Sequence, residues 1–205
     1  MKIGIYGGSF NPIHFGHIGL AKWVAENTDL DEVWLMVSPN NPLKDKSILA
    51  DEQERLEKAK KAIGENGIQK TENGKQIIVS DFEFHLPRPT YTANTLRALA
   101  QSYPEHEFTL IIGEDNVTIF DKWREHQYIL DNYRVFVYPR REIESISPKE
   151  HGHVGYANDM THPVNNIEST NLTQSEVQPT TGIIFLTGAP YFDISSTYLR
   201  KNLHS

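Results

Sequence analysis

Two histidines, His14 and His17, follow a glycine-rich turn close to the beginning of the chain. The turn, Gly7-Gly8-Ser9-Phe10, comes directly after a short apolar run, and an amphipathic stretch follows the histidines. Strand, glycine turn and helix in this order direct free backbone N–H groups and the positive end of a helix towards an anion, usually a phosphate. Gly16 leaves room where a side chain would meet a bulky ligand. Although a glycine turn alone is common between strand and helix, the combination predicts a site for nucleotide phosphates.

A second segment with phosphate-binding chemistry lies between Asp193 and Arg200. Hydroxyl and backbone N–H groups at the beginning of a helix can hold a phosphate, and the Arg200 guanidinium, about one turn further on, can reach the same anion. By itself the segment fits an ordinary capped helix equally well; paired with the two histidines it favours phosphate binding. The residues at its beginning are Ile194, Ser195, Ser196 and Thr197.

Composition excludes several classes of protein. The 205 residues carry a net charge of -7 and no cysteine, which excludes disulfides, thiolate metal sites and cysteine catalysis. The acidic balance disfavours nucleic acid as a partner, and no apolar run is long enough to span a membrane. Without a recognisable signal peptide, the chain is expected to be cytoplasmic. We predict one domain over residues 1–205, and the oligomeric state, a homo-oligomer included, stays open.

Apolar runs alternate with amphipathic stretches, which predicts an α/β fold with a Rossmann-like, doubly wound, mostly parallel sheet flanked by helices. Runs such as Val33–Val37 and Ile183–Leu186 are apolar at consecutive positions, as in strands buried on both faces. Residues 142–181 have no clear periodicity and are predicted to form a surface insertion. The predicted strands are Lys2–Tyr6, Glu32–Ser38, Gln76–Phe82, Phe108–Ile112, Arg134–Tyr138 and Gly182–Thr187. The predicted helices are Phe15–Asn27, Asp51–Ile63, Thr92–Ser102, Val117–Phe120, His126–Asp131 and Ser195–Leu203.

The two phosphate segments resemble the signatures of the His-x-Gly-His nucleotidyltransferase superfamily. Three further segments narrow the resemblance to the bacterial-type nicotinate mononucleotide adenylyltransferases. Asn40-Asn41-Pro42-Leu43-Lys44 resembles the Pro-Pro-His-Lys loop of that family, and Thr90–Leu96 resembles its Ser-Tyr-Thr-x-Asp-Thr-Leu segment. Ile111–Asp115 followed by Lys122-Trp123 resembles its Gly-x-Asp and Trp segment. The resemblance runs in order along most of the chain, outside roughly residues 141–181.

The resemblance implies adenylyl transfer from ATP to nicotinate mononucleotide, which gives nicotinate adenine dinucleotide and pyrophosphate in NAD biosynthesis. It implies that His14 and His17 act on the α-phosphate, and that Mg²⁺ is carried by the ATP phosphates rather than by a protein site. The implied catalytic residues are His14, His17, Lys44 and Arg200. The implied ATP-binding residues are Gly8, Ser9, Phe10, His14, Gly16, His17, Gly113, Asp115, Ile194, Ser195, Ser196, Thr197 and Arg200. The implied residues for nicotinate mononucleotide are Lys44, Tyr91, Thr92 and Trp123.

Three positions depart from the family pattern, because Asn11 and Asn94 stand where Asp is usual and Leu43 replaces a histidine. Two residues keep alternatives open: Asp115 also suits a helix N-cap, and Trp123 also suits the core. Rival functions are another nucleotidyltransferase, such as one acting on phosphopantetheine, and a nucleotide-binding regulator without catalysis. A class I aminoacyl-tRNA synthetase is disfavoured, since the chain leaves no room for a tRNA-reading domain.

Overall fold

The computed structural model describes residues 1–39, 51–65, 69–140 and 181–191. Within these ranges six strands form one sheet in the order β3-β2-β1-β4-β5-β6, and each pairing is parallel. The Rossmann-like, doubly wound parallel sheet predicted from the sequence is therefore confirmed. The strands are β1 (Lys2–Gly8), β2 (Glu32–Val37), β3 (Gln76–Ser80), β4 (Glu107–Gly113), β5 (Arg134–Tyr138) and β6 (Gly182–Phe185).

Helices cover both faces of the sheet, because each parallel connection must cross from one end of the sheet to the other. The helices are α1 (Phe15–Asn27), α2 (Glu52–Glu65), α3 (Thr92–Ser102), α4 (Glu114–Val117) and α5 (His126–Asn132), with 3₁₀ turns at Phe82–His85 and Phe120–Lys122. Apolar side chains of α1 and α2 pack into one buried cluster, and those of α3 and α5 pack into a second cluster on the opposite face.

Several boundaries differ from the sequence-based expectation. The predicted third strand ends at Ser80, and Phe82 begins a 3₁₀ turn instead. The helix predicted over Val117–Phe120 is wrong: a short helix ends at Val117, and a separate 3₁₀ turn begins at Phe120. The predicted start of α2 is confirmed, since the Asp51 carboxylate accepts hydrogen bonds from the first turn of the helix. The amphipathic pattern predicted the longer helices correctly, but it did not predict the turns between the shorter elements.

The edge strand β6 is less buried than its apolar run predicts. Ile183 and Phe185 are exposed, while Leu186, just after the strand, is buried. Burial on both faces is therefore wrong for this strand, although it holds for most of β2. Within the described ranges, no helix combines the length and hydropathy needed to cross a membrane. The predicted insertion (142–181, apart from residue 181) and the predicted last helix (195–203) lie outside those ranges.

The direction in which the chain adds strands across the sheet reverses between two neighbouring parallel strands, β1 and β4. These strands pair directly, with Tyr6 opposite Ile111. From β1 the chain passes through α1 to β2 on one side, and from β4 it passes through α4 and α5 to β5 on the other. The loops at the carboxyl ends of the two strands therefore diverge and leave a crevice, which is where such sheets bind ligands.

Candidate active site

The loop after β1 is built around the buried ring of Phe10. Phe10 has a φ of 42°, a left-handed conformation that is uncommon for a bulky residue. Its ring lies against the backbone of Gly8, where an added β-carbon would be 3.1 Å from the ring. The same ring packs edge-to-face on the His17 imidazole, with 5.0 Å between centroids. Gly8 is thus required for close packing, and Phe10 fixes the position of His17.

The two histidines meet at the beginning of α1. His14 is the N-cap residue, and His17 lies in the first turn, 8% exposed. Their rings lie 3.7 Å apart between centroids, and the His14 backbone N–H donates to Nδ1 of His17 at 3.3 Å. A neutral imidazole whose Nδ1 accepts a hydrogen bond carries its proton on Nε2. His17 is therefore held as an Nε2–H donor at the amino-terminal end of the helix.

The charge state of His14 is set by its surroundings. Burial lowers the pKa of His14 to about 4, and the nearby Arg140 guanidinium lowers it further in the same direction. Its Nδ1 atom is buried and has no hydrogen-bond partner in the part of the chain that the structure describes. A buried polar atom without a partner is costly, so a ligand that pairs with it gains stability. The imidazole is therefore neutral at pH 7.

Asp115 and Arg140 follow β4 and β5 and lie across the crevice from the histidine loop. The Arg140 guanidinium donates to the Asp115 carboxylate at 3.0 Å. Gly113 makes this arrangement possible, because a β-carbon there would collide with Asp115 and lie 3.1 Å from Arg140 and Tyr138. Beneath the pair, the hydroxyls of Tyr6 and Tyr138 lie 3.3 Å apart, and burial raises the pKa of both phenols. The crevice therefore has a charged rim over a neutral, aromatic floor.

Three residues that are predicted to bind nicotinate mononucleotide come from two elements. Tyr91 is the N-cap residue of α3 and Thr92 is its first residue, while Trp123 follows the 3₁₀ turn after α4. The Arg124 guanidinium lies over the Tyr91 ring, 5.0 Å from its centroid, so the two elements meet. Trp123 is half-buried and packs on Phe120 with 5.2 Å between ring centroids. Trp123 contributes to the core and still exposes part of its ring.

Several predicted site residues fall outside the described ranges. They are Lys44, with Leu43 in the same loop, and Ile194, Ser195, Ser196, Thr197 and Arg200. Of the two other departures from the family pattern, Asn11 is buried in the histidine loop, while Asn94 is exposed on α3 and accepts a hydrogen bond from Arg97. In the described residues, no group of three or more His, Cys, Asp or Glu side chains could hold a metal ion.

Sequence reasoning missed Arg55. The mixed-sign run from Glu52 to Lys61 is typical of an exposed helix face, but Arg55 within it is only 1% exposed. Its guanidinium donates to the backbone carbonyls of Ser9, Ser38 and Pro39. A signal was present: Arg55 lies on the stripe that continues with Ala59 and Ile63, at helical spacing. A charged residue on the apolar stripe of a helix indicates a side chain that is buried and hydrogen-bonded.

Comparisons with known proteins agree with this geometry. Residues 5–202 match the family model described as cytidylyltransferase-like. A Flavobacterium johnsoniae protein named "Probable nicotinate-nucleotide adenylyltransferase" is 44% identical over 177 residues, covering 85% of this chain and 86% of the relative. A Bacteroides fragilis protein of the same name is 40% identical over 202 residues, covering 98% and 82%. The chain belongs to the nicotinate-nucleotide adenylyltransferase family.

Among solved structures, the fold is similar to the nicotinic acid mononucleotide adenylyltransferase of Plasmodium falciparum complexed with NaAD. The TM-score is 0.65 at 21% sequence identity, over 98% of this chain and 83% of that one. At this identity the likeness concerns the fold. The relatives at 44% and 40% identity confirm the nicotinate-nucleotide adenylyltransferase family, which the five ordered motifs predict.

We expect the pKa of His14 to be about 4 in the ligand-free protein and to rise when Mg-ATP binds, because polyphosphate charge stabilises the imidazolium. Arg140→Met should raise the pKa of His14 part of the way to its ordinary value, since burial remains. NMR titration of the imidazole C–H resonances measures both shifts. Arg97→Met, on α3, is the matched control and should leave the titration unchanged. A His14 that titrates near 6.5 in the free wild-type protein would contradict the assignment.

Proposed function

We propose that this protein transfers the adenylyl group of ATP to nicotinate mononucleotide, giving nicotinate adenine dinucleotide and pyrophosphate. The observation that carries the proposal is the meeting of His14, His17 and Arg140 at the crevice where β1 and β4 diverge. Paired imidazole donors at the beginning of a helix, beside a guanidinium, suit a polyphosphate. The names of the relatives supply the substrate pair that this anion site serves.

In this reaction the 5′-phosphate of nicotinate mononucleotide attacks the α-phosphorus of ATP. One bond forms between an acceptor oxygen and phosphorus, the bond to the bridging oxygen breaks, and pyrophosphate leaves with the electron pair. No covalent protein intermediate is needed. The protein therefore acts by aligning the two substrates and by stabilising negative charge on the phosphoryl oxygens.

The donors for that charge are the two imidazoles. His17 presents Nε2–H because its Nδ1 accepts the His14 backbone N–H. His14 is neutral before ATP binds, and the incoming phosphates favour its protonation, so it gains charge only when the anion is present. Ser9 and Phe10 would contribute backbone groups near the helix end. The β- and γ-phosphates would be held by residues that the sequence predicts for this role, namely Lys44, Ser196, Thr197 and Arg200.

Mg²⁺ belongs to this proposal as a companion of ATP. We expect the ion to be held mainly by phosphate oxygens, as Mg²⁺ commonly is in nucleotide-binding proteins. Bound there, the ion would neutralise charge on the phosphates. Cytoplasmic location remains a prediction from the sequence, and the oligomeric state, a homo-oligomer included, stays open.

For the nucleosides, Asp115 would accept hydrogen bonds from the ATP ribose, exchanging its contact with Arg140 for ribose hydroxyls. The half-exposed Asp115 carboxylate is accessible for this exchange. The amino-terminal end of α3, at Tyr91 and Thr92, would bind the nicotinate carboxylate, because free N–H groups and the helix dipole favour an anion. Trp123 would stack on the pyridine ring.

The deciding experiment measures pyrophosphate release with Mg-ATP and three separate acceptors: nicotinate mononucleotide, nicotinamide mononucleotide and phosphopantetheine. We expect the nicotinate form to be strongly preferred, since an amide brings no negative charge to the beginning of α3. Release with phosphopantetheine alone would overturn the acceptor assignment and keep adenylyl transfer. A protein that binds ATP but releases no pyrophosphate with any acceptor would be a regulator.

His17→Ala should lower kcat by about 100- to 1,000-fold, the usual cost of removing one donor to a developing anion. The dissociation constant of nicotinate mononucleotide should change little, because the donor acts on the ATP α-phosphate. Steady-state kinetics and calorimetric binding measure the two quantities. His85→Ala, an exposed histidine, is the matched control. Equal losses in turnover and acceptor binding would contradict a role in the transition state.

Trp123→Ala should raise the KM for nicotinate mononucleotide by about tenfold through lost stacking, and leave the KM for ATP nearly unchanged. Trp123→Phe, which keeps an aromatic face, should lose much less. Initial-rate measurements with each substrate varied in turn give both constants. If the KM for ATP rises as much as that for the acceptor, Trp123 serves the core rather than the pyridine ring.

A further inference from the structure

A buried cation supports the loop that carries the two histidines. Arg55 of α2 is 1% exposed, and its Nη1 atom donates to the Ser9 carbonyl at 2.5 Å and to the Ser38 carbonyl at 2.9 Å. Its Nη2 atom donates to the Pro39 carbonyl at 2.9 Å. Ser9 belongs to the phosphate loop, which we define as residues 9–14, and Ser38 follows β2. Arg55 therefore ties the phosphate loop to the carboxyl end of the neighbouring strand.

A buried carboxyl group supports the beginning of α3 in a similar manner. Glu83, in the 3₁₀ turn after β3, accepts hydrogen bonds from the hydroxyls of Thr95 at 2.7 Å and Thr90 at 3.4 Å. Thr95 in turn donates its backbone N–H to the Tyr91 carbonyl at 3.0 Å. The Glu83 side chain thus lies beneath the residues where nicotinate is expected to bind.

The two buried groups meet at Ser38. The Ser38 carbonyl accepts a hydrogen bond from Arg55. The Ser38 side chain acts on the Glu83 carboxyl group beside it and partly offsets the rise in its pKa that burial causes. The Ser38 backbone N–H also donates to the Gly8 carbonyl at 2.9 Å, directly beside the phosphate loop. Because β1, β2 and β3 are neighbours in the sheet, these contacts run along the carboxyl edge of three adjacent strands.

We propose that Arg55, Ser38 and Glu83 form a buried bridge that sets the distance between the phosphate loop and the beginning of α3, and so act as positioning residues for adenylyl transfer. The inference rests on the proposed function, because only a two-substrate reaction requires this distance to be exact. Each substrate binds at one end of the bridge, and the bridge aligns the attacking oxygen with the α-phosphorus.

The chemistry of the three side chains supports positioning more than simple stability. Burying a guanidinium and a carboxyl group destabilises a fold unless every hydrogen bond is satisfied, and apolar residues of similar volume commonly stabilise a fold as well. What Arg55 adds is a rigid fork that holds carbonyls on two separate segments at fixed angles. Lysine keeps the charge but lacks the fork, so the Arg55→Lys variant separates geometry from electrostatic attraction.

The test compares three variants, Arg55→Lys, Ser38→Ala and Glu83→Gln, with two exposed controls, Arg97→Lys and Glu105→Gln. For each protein, turnover is measured with both substrates, and calorimetry gives the dissociation constant of ATP alone and of nicotinate mononucleotide alone. Thermal unfolding gives the folded fraction, and active-site concentrations are corrected for it. Ser38→Ala removes one hydroxyl from the bridge, so this variant still tests the proposal if Arg55→Lys or Glu83→Gln does not fold.

We expect kcat to fall by about 10- to 100-fold in the bridge variants, the scale of loss for a misplacement of about 1 Å. Both separate dissociation constants should stay within about threefold of wild type, because each half-site remains intact. The double variant Arg55→Lys with Glu83→Gln should lose less than the product of the single losses, since both break one bridge.

Two results would overturn the bridge. In the first, kcat per folded molecule stays at the wild-type value and only thermal stability falls, which is a structural role. In the second, one dissociation constant rises in proportion to the loss of turnover, which assigns the residue to a single half-site. If the wild-type protein is inactive, the proposed function and the bridge are both overturned. If the wild-type protein is active and the variants keep its kcat, only the bridge is overturned.

Discussion

The divergence of the chain at the carboxyl ends of β1 and β4 is the constraint on which the rest of this structure depends. Neighbouring parallel strands whose connections leave in opposite directions cannot close the space between their loops. That space receives the amino-terminal end of α1 from one side and Asp115 with Arg140 from the other. This location makes the proposed phosphate contacts of the histidines possible, because no preceding turn of helix covers the amino-terminal end of α1.

Buried polar groups form the floor of the crevice and connect the loops along one of its edges. Tyr6 and Tyr138 share a hydroxyl contact on its floor, while Arg55 and Glu83 connect the loops along its edge. Such groups are costly unless satisfied, and they hold their partners at specific angles where an apolar contact permits sliding. The site is therefore positioned by hydrogen bonds, on a sheet held by two apolar clusters.

The charges around His14 suit the polyphosphate substrate of the proposed reaction. Arg140 is already paired with Asp115, and burial together with Arg140 lowers the pKa of His14 and keeps its imidazole neutral. This arrangement avoids two close positive charges before the anion is present. In the proposed reaction, polyphosphate binding would reverse this balance, so that His14 and Arg140 would both contact one anion.

The amino-acid sequence alone determined the class of fold and the family, and it predicted site residues in the loops that follow β1 and β4. It could do so because parallel strands, helix beginnings and phosphate turns leave local patterns that depend on nearest neighbours in the chain. Tertiary structure alone decided which backbone carbonyls Arg55 contacts, that Arg140 lies near His14, and that β6 exposes Ile183 and Phe185 at the sheet edge. These outcomes depend on which distant segment packs against each side chain, and spacing along one segment does not encode that choice.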